Sequence, residues 1–182
     1  MENLHPDIER VLYSQGDIAR KVELLGRIIS QDYADKELLL VGVLKGAVMF
    51  YADLIRQITL PVRMDFIQAS SYGTSMNSSG TIRLIKDLDT DIHGMHVLVV
   101  EDILDTGETI YHLKQIFAQR NPESVRICAL FDKPSRRQAP ITADYIGYEI
   151  PDVFIVGYGL DFAEKYRNLP YVGILKKRVY EN

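Results

Sequence analysis

The residue types able to do chemistry are concentrated in one stretch, V-L-V-V-E-D-I-L-D-T-G-E-T (97–109). Four apolar residues lead into three carboxylates, Glu101, Asp102 and Asp105. Asp105, Thr106, Gly107, Glu108 and Thr109 then turn the chain into a predicted helix N-terminus. Free backbone N–H groups and the helix dipole favour an anion there. Gly107 permits a backbone path that other residues resist and leaves room for a ligand. Thr106 and Thr109 add hydroxyl donors. The anion that suits this turn is a phosphate monoester. Carboxylates do not bind phosphate, so the three acids must address other parts of the same ligand, and sugar hydroxyls and Mg²⁺ are the natural candidates. A phosphorylated ribose combines all three features. A capped, solvated turn would account for one acid, but three around a phosphate-type turn favour a site.

Such a turn needs a sheet edge behind it. L-L-L-V-G-V-L (38–44) is a continuous apolar run, as a strand covered on both faces requires. Lys45 and Gly46 break it, and A-V-M-F-Y-A-D-L-I reads as a helix. Earlier, Asp17 is expected to cap a helix in which Ile18, Val22, Leu25 and Ile29 recur at helical spacing. V-R-M-D-F-I-Q-A-S (62–70) alternates as a strand, V-L-V-V (97–100) is a second buried strand, and V-R-I-C-A-L (125–130) is another. A helix between the last two should turn Ile110, Leu113 and Phe117 inward. Short apolar runs at 143–150, 153–158 and 171–175 suggest strands and turns. Strands alternating with helices imply an α/β domain with a mostly parallel sheet flanked by helices. In such sheets ligands bind at the carboxyl edge, which singles out the turns at Lys45-Gly46 and 101–109.

The chain has 182 residues, 47% hydrophobic and 25% charged, with a formal net charge of -4. That composition excludes disorder, collagen, coiled coil and a disulfide scaffold. Its balance gives no global attraction to nucleic acid or anionic lipid. The single cysteine, Cys128, reads as a buried inert thiol. No export signal is expected at M-E-N-L-H-P-D-I-E-R, and the longest apolar run is too short to span a bilayer. A cytoplasmic protein with no membrane partner is the expectation.

V-E-D-I-L-D-T-G-E-T resembles the phosphoribosyl-pyrophosphate motif of type I phosphoribosyltransferases, most closely their bacterial hypoxanthine-guanine branch. The resemblance runs from about Leu38 to Leu175 through several motifs in the same order. It implies the type I phosphoribosyltransferase fold: one domain over 1–182, with hood elements near the N-terminus and about 131–182. It implies purine salvage, in which 5-phosphoribosyl 1-pyrophosphate and hypoxanthine or guanine give IMP or GMP. By position, Glu101 and Asp102 would contact the ribose hydroxyls and help hold Mg²⁺. Asp105 to Thr109 would bind the 5′-phosphate, with Glu108 acting through its backbone alone. Asp105 would be the general base near N7 of the purine.

Leu44-Lys45-Gly46 resembles the family's pyrophosphate loop, which holds a cis peptide before the lysine. F-D-K-P-S-R-R (131–137) contains Lys133, expected on the 6-oxo group. F-I-V-G-Y-G-L-D (154–161) would supply Phe154 to stack on the base and Ile155 backbone groups to read its edge. Asp161 would lie near the purine 2-position and the second Mg²⁺, and Arg167 would meet pyrophosphate. From residue type alone, Lys45 is a solvated helix-start charge, Phe154 and Ile155 are core, and the basic cluster at Lys133 is a surface turn. The Gly/Ser-rich stretch 71–80, beginning Ser71-Tyr72, resembles the family's mobile loop, which closes to exclude water. Relatives are usually dimers or tetramers, so a homodimer or homotetramer is implied.

Other signals weigh less. Gly157-Tyr158-Gly159 has Phe162 where a dinucleotide fingerprint needs glycine. Asp87, Asp89 and Asp91 open like a calcium loop, but Ile92 and Leu98 stand where glycine and glutamate are required. His93 and His96 read as surface residues, and Lys176, Lys177 and Arg178 as a solvated face. Pyrimidine operon regulators, which bind messenger RNA, resemble the same ribose-phosphate motif. The purine-type motifs and the lack of a basic stripe count against that use, and no nucleic-acid partner is expected. An adenine-preferring transferase is disfavoured at Lys133, since adenine offers an amino donor where a lysine needs an acceptor. Xanthine stays open.

Overall fold

A computed structural model describes residues 4–71 and 82–181. Tyr72 and the rest of the 72–81 stretch lie outside the described residues. The six-stranded sheet has the order β4-β3-β2-β5-β6-β7, formed by Ile82–Lys86, Arg63–Ser71, Leu38–Val43, His96–Leu104, Ser124–Asp132 and Tyr145–Glu149. All neighbours pair in parallel except β3 with β4, which close an antiparallel edge. Three helices flank it: α1 (Gln15–Asp32), α2 (Val48–Gln57) and α3 (Glu108–Ala118).

The apolar runs are continuous because both faces of the sheet are covered. Successive side chains of a strand point to opposite faces. Leu38, Leu40, Leu98, Val100, Cys128 and Leu130 therefore pack with Ile18, Leu25, Phe50 and Leu54 of α1 and α2. Leu39, Val41, Val97, Val99, Ile127 and Ala129 pack on the other side with Ile110, Leu113 and Phe117 of α3. Cys128 is a free, buried thiol within the first of these layers.

The structure corrects the expectations at several boundaries. Asp17 does not cap α1; Ser14 does. The Ser14 hydroxyl accepts from the Asp17 N–H at 3.2 Å while the Asp17 carboxylate accepts from the Ser14 N–H at 3.0 Å, so two orphan donors are satisfied reciprocally. Strand β5 does not stop at Val100. It stays in register with β6 through Glu101↔Ala129 and Leu104↔Asp132, which makes Glu101 and Asp102 strand residues. The run at 143–150 supplies β7 to the main sheet.

The other two late runs form β8 (Ile155–Val156) and β9 (Val172–Leu175), which pair antiparallel with β1 (Ile8–Tyr13) in a separate three-stranded sheet. A four-residue helix, α4 (Lys177–Tyr180), follows. Lys176 and Arg178 are not simply solvated. The Lys176 ammonium donates to the Pro6 carbonyl at 2.7 Å, and Arg178 pairs with Asp7 at 2.8 Å. His96, read as a surface residue, is half-buried, with Nδ1 2.8 Å from the Ser124 hydroxyl. None of the helices in the described residues is long and apolar enough to cross a membrane.

Candidate active site

Strand order decides where a site forms. From β2 the chain proceeds to β3 on one side, and from β5 to β6 on the other, so the direction of winding reverses between β2 and β5. Crevices at such reversals, outside the carboxyl ends of the strands, are where open α/β sheets bind ligands. The chain leaves β2 at Leu44-Lys45-Gly46 and β5 at Asp105-Thr106-Gly107, on the two lips of that crevice. The Leu44–Lys45 peptide is cis, matching what the resemblance implied. Gly46 lies so close to β5 that a Cβ there would stand 1.9 Å from Asp102 Oδ2. On its other side, a Cβ on Gly159 would stand 2.0 Å from the Gly46 carbonyl oxygen. The loop after β2 is thus wedged between β5 and the segment after β8.

Gly107 has φ +84° and is the N-cap of α3; it has no side chain to cap the helix, and the Thr106 hydroxyl before it accepts from the Glu108 N–H at 3.5 Å. The L residues that would cap a helix with a side chain rarely adopt that φ. A cavity of about 240 Å³ opens at this turn, lined by Glu101, Asp105, Thr106, Gly107 and Thr109 among others. The Glu108 carboxylate turns away, 3.5 Å from His112 one helical turn on.

The larger adjoining cavity, about 540 Å³, is lined by Asp102, Asp105, Lys133, Phe154, Ile155 and Asp161, with Arg136, Asp152, Leu160 and Tyr180. Asp105 lines both cavities. Lys133 is only 7% exposed and donates to the Val153 carbonyl at 2.7 Å. Burial pulls its ammonium below the ordinary lysine value, an effect opposed by nearby Asp105 and Asp152. Phe154 leaves 36% of its surface exposed, an aromatic ring standing at a cavity wall.

Lys45 and Arg167 line neither of these cavities. Lys45 Nζ is 2.8 Å from Glu164, in an exposed pair. Arg167 Nη2 pairs with Asp161 Oδ1 at 2.8 Å and Nη1 donates to the Gly159 carbonyl at 2.7 Å, while its buried Nε has no partner among the described residues. Glu164 touches both cations, at 2.8 Å and 3.3 Å. Ser71 ends β3.

Glu101, Asp102 and Asp161 do not converge: among the described residues no three His, Cys, Asp or Glu side chains cluster as a metal cage. Glu101 faces the smaller cavity, and Asp102 and Asp161 the larger. The carboxyl of Glu101 is held well above the usual range, first by burial and then by the charge of Asp102. A divalent cation would relieve that repulsion. Mg²⁺ keeps several waters and takes one or two carboxylates plus ligand oxygens, so carboxylates on the walls of two adjoining cavities fit it without a full cage.

Sequence reasoning missed Arg136 and Arg137, which looked like part of a surface turn. Arg136 Nε is 3.1 Å from Asp105 Oδ1, and its Nη1 is 3.6 Å from Asp152. Arg137 reaches back across the turn: Nη1 donates to the Leu104 carbonyl at 2.9 Å and to that of Asp105, and Nη2 pairs with Asp132. The Thr106 carbonyl accepts from the N–H groups of Gln138 and Ala139. The segment after β6 therefore clamps the loop that carries Asp105. The doubled arginine after K-P-S was the one available signal, and its partners lie about thirty residues earlier.

The phosphoribosyl transferase domain family matches residues 11–163 of this chain. A hypoxanthine-guanine phosphoribosyltransferase of Bacillus subtilis is 52% identical over 97% of the chain and 98% of its own length. The fold matches a crystal structure of a hypoxanthine phosphoribosyltransferase from Staphylococcus aureus at TM-score 0.96, with 44% identity and full coverage of both chains. It also matches, at TM-score 0.92 and 38% identity, the hypoxanthine phosphoribosyltransferase of Trypanosoma cruzi in complex with the product IMP, covering 98% of this chain and 100% of that one.

Proposed function

Because the chain belongs to the phosphoribosyl transferase family, we propose that it is a purine salvage enzyme. It transfers the 5-phosphoribosyl group of 5-phosphoribosyl 1-pyrophosphate to N9 of hypoxanthine or guanine, giving IMP or GMP and pyrophosphate. The observation that carries this reading is Asp105 on the wall of both cavities. A ligand with its phosphate in one and a base in the other puts the new glycosidic bond beside that carboxylate.

The 5′-phosphate accepts from the N–H groups of the Thr106–Thr109 turn and its hydroxyls, with Glu108 contributing backbone only. Glu101 and Asp102 meet the ribose hydroxyls. Lys45, Gly46 and Arg167 take the pyrophosphate. The purine lies against Phe154, with Ile155 backbone groups and Asp161 at its edge and the Lys133 ammonium donating to the 6-oxo oxygen. As N9 bonds to C1′ and the C1′–O bond to pyrophosphate breaks, the purine proton passes near N7 to Asp105. A positioned base of this kind contributes about 10²–10⁴-fold. Glu101 and Asp102 would help hold Mg²⁺ beside the sugar, with Asp161 near a second ion, and the metal would supply charge neutralisation for the leaving group. The fixed 5′-phosphate orients the sugar from a distance, where binding energy can favour the reacting geometry.

The three-stranded unit of β1, β9 and β8 serves as the hood of a single domain; the loop expected to begin at Ser71-Tyr72 lies, from Tyr72 on, outside the described residues. The enzyme acts in the cytoplasm as a homodimer or homotetramer, which the exposed apolar side chains of Leu24, Ile28 and Met49 support. The test is pyrophosphate release from 5-phosphoribosyl 1-pyrophosphate and Mg²⁺ with hypoxanthine, guanine, xanthine, adenine or uracil offered singly. Turnover with hypoxanthine or guanine is expected, and release with none of the purines would overturn the proposal.

A further inference from the structure

The C-terminal helix contributes a side chain to the larger cavity that the motifs do not include. The Tyr180 ring is stacked on Phe154, with centroids 4.9 Å apart and planes 23° from parallel. Phe162 meets Phe154 edge-on at 5.5 Å and 88°. Tyr180 lines the cavity alongside Phe154, Lys133 and Asp161. Stacked and edge-on contacts together fix the plane of Phe154, a ring that stays partly open at the cavity wall.

The position of Tyr180 is built, not incidental. The Leu175 N–H donates to the Phe154 carbonyl at 2.9 Å, which ties the start of the tail to the residue that Tyr180 covers. The Lys176 N–H then donates to the Asp7 carbonyl at 2.9 Å, and its ammonium to the Pro6 carbonyl. Arg178 pairs with the Asp7 carboxylate, which also accepts from the Tyr166 hydroxyl at 2.9 Å. Val179 and Tyr180 pack against Ile8, Val156, Tyr171 and Leu175. The two ends of the chain thus clasp each other and deliver the ring to the cavity.

We infer that Tyr180 is a purine-positioning residue: its ring covers one face of Phe154 and holds it so that the other face receives the base. This inference rests on the proposed purine site. Its signature is a change in KM for the purine without a matching change in kcat or in KM for 5-phosphoribosyl 1-pyrophosphate, because Tyr180 stacks on Phe154 and is absent from the lining of the smaller cavity at the Thr106–Thr109 turn.

The experiment compares the full-length chain with Tyr180→Ala, Tyr180→Leu and Tyr180→Phe, measuring both KM values, kcat and Tm. Turnover by the unaltered chain tests the purine site itself, and the variants test the role of Tyr180 separately. Tyr180→Ala and Tyr180→Leu should raise KM for hypoxanthine and guanine about threefold to tenfold, the range a stacked aromatic pair contributes. Tyr180→Phe keeps the ring and should restore it. Tyr180→Leu retains apolar bulk, so it keeps the test valid where the alanine variant fails to fold. An unchanged or lowered purine KM in Tyr180→Leu overturns the inference, the latter by making the ring an occupant of the seat. A parallel rise in both KM values with a falling Tm overturns it as well, in favour of a purely structural role.

Discussion

Gly46→Ala isolates the wedge between the two lips of the crevice. The added Cβ would stand 1.9 Å from Asp102 Oδ2 and 2.7 Å from its Cγ. Ordinary contact needs about 3.5 Å, so the carboxylate must retreat by roughly 1.6 Å. The φ of Gly46 lies outside the left-handed region, so the penalty is steric alone. Retreat costs the hydrogen bond at 2.9 Å from the Ile103 N–H to Asp102 Oδ1, worth about 0.5–1.5 kcal/mol net. For a chain of this size that lowers Tm by about 1–6 °C. The functional loss should be far larger, since a misplacement of about 1 Å at a reacting centre can cost roughly 10²-fold. Initial rates of pyrophosphate release at varied 5-phosphoribosyl 1-pyrophosphate should show kcat/KM reduced about 100-fold, while differential scanning fluorimetry shows the small Tm shift. In an Asp102→Ala background the clash partner is absent, so Gly46→Ala should then cost little stability, a non-additivity expected only of groups in contact. Activity within threefold of the unaltered chain, or an equal Tm loss in both backgrounds, would refute the reasoning.

Asp105→Asn should reduce kcat by about 10²–10⁴-fold with a modest change in sugar-phosphate affinity; single-turnover rates that stay unchanged would remove the base assignment. Lys133→Ala leaves no donor for the 6-oxo oxygen, and its hypoxanthine-over-adenine preference should fall at least about tenfold in competing-substrate rates. Glu101 gives a pH prediction. Burial and the charge of Asp102 raise its folded-state pKa well above the unfolded value of about 4.3. Between those values the folded chain binds more protons than the unfolded one, so stability falls as pH rises through the window. Glu101→Gln escapes that loss. Without metal it should melt above the unaltered chain at pH 7, with the difference vanishing by about pH 4; equal Tm values at pH 7 would contradict the cause given for the shift.

Much of the fold is written locally. The run 38–44 reads as a strand covered on both faces, and its residues 38–43 form β2, buried throughout. The spacing of Ile110, Leu113 and Phe117 placed the inner face of α3. The acids and small residues of 101–109 pointed to a phosphate and a sugar because residue type dictates which groups a side chain can address. Strand β1 and the edge strand β4 were not legible. I-E-R-V-L-Y becomes a strand only by pairing with β9, some 160 residues later, and β4 only by pairing with β3.

The site divides in the same way. Sequence determined which chemical groups are present and in what order along the chain, and it singled out the turn 101–109 and its acids. Tertiary structure decided how they share space. It set Asp105 between two cavities, turned Glu101 to one and Asp102 and Asp161 to the other, and drew Arg136 and Arg137 onto the loop after β5. It also carried Tyr180 from the far end of the chain onto Phe154. The physical reason is one of range. Propensity, side-chain alternation and turn chemistry act over a few residues, whereas strand order, ring stacking and buried ion pairs join positions whose separation along the chain leaves no periodic trace.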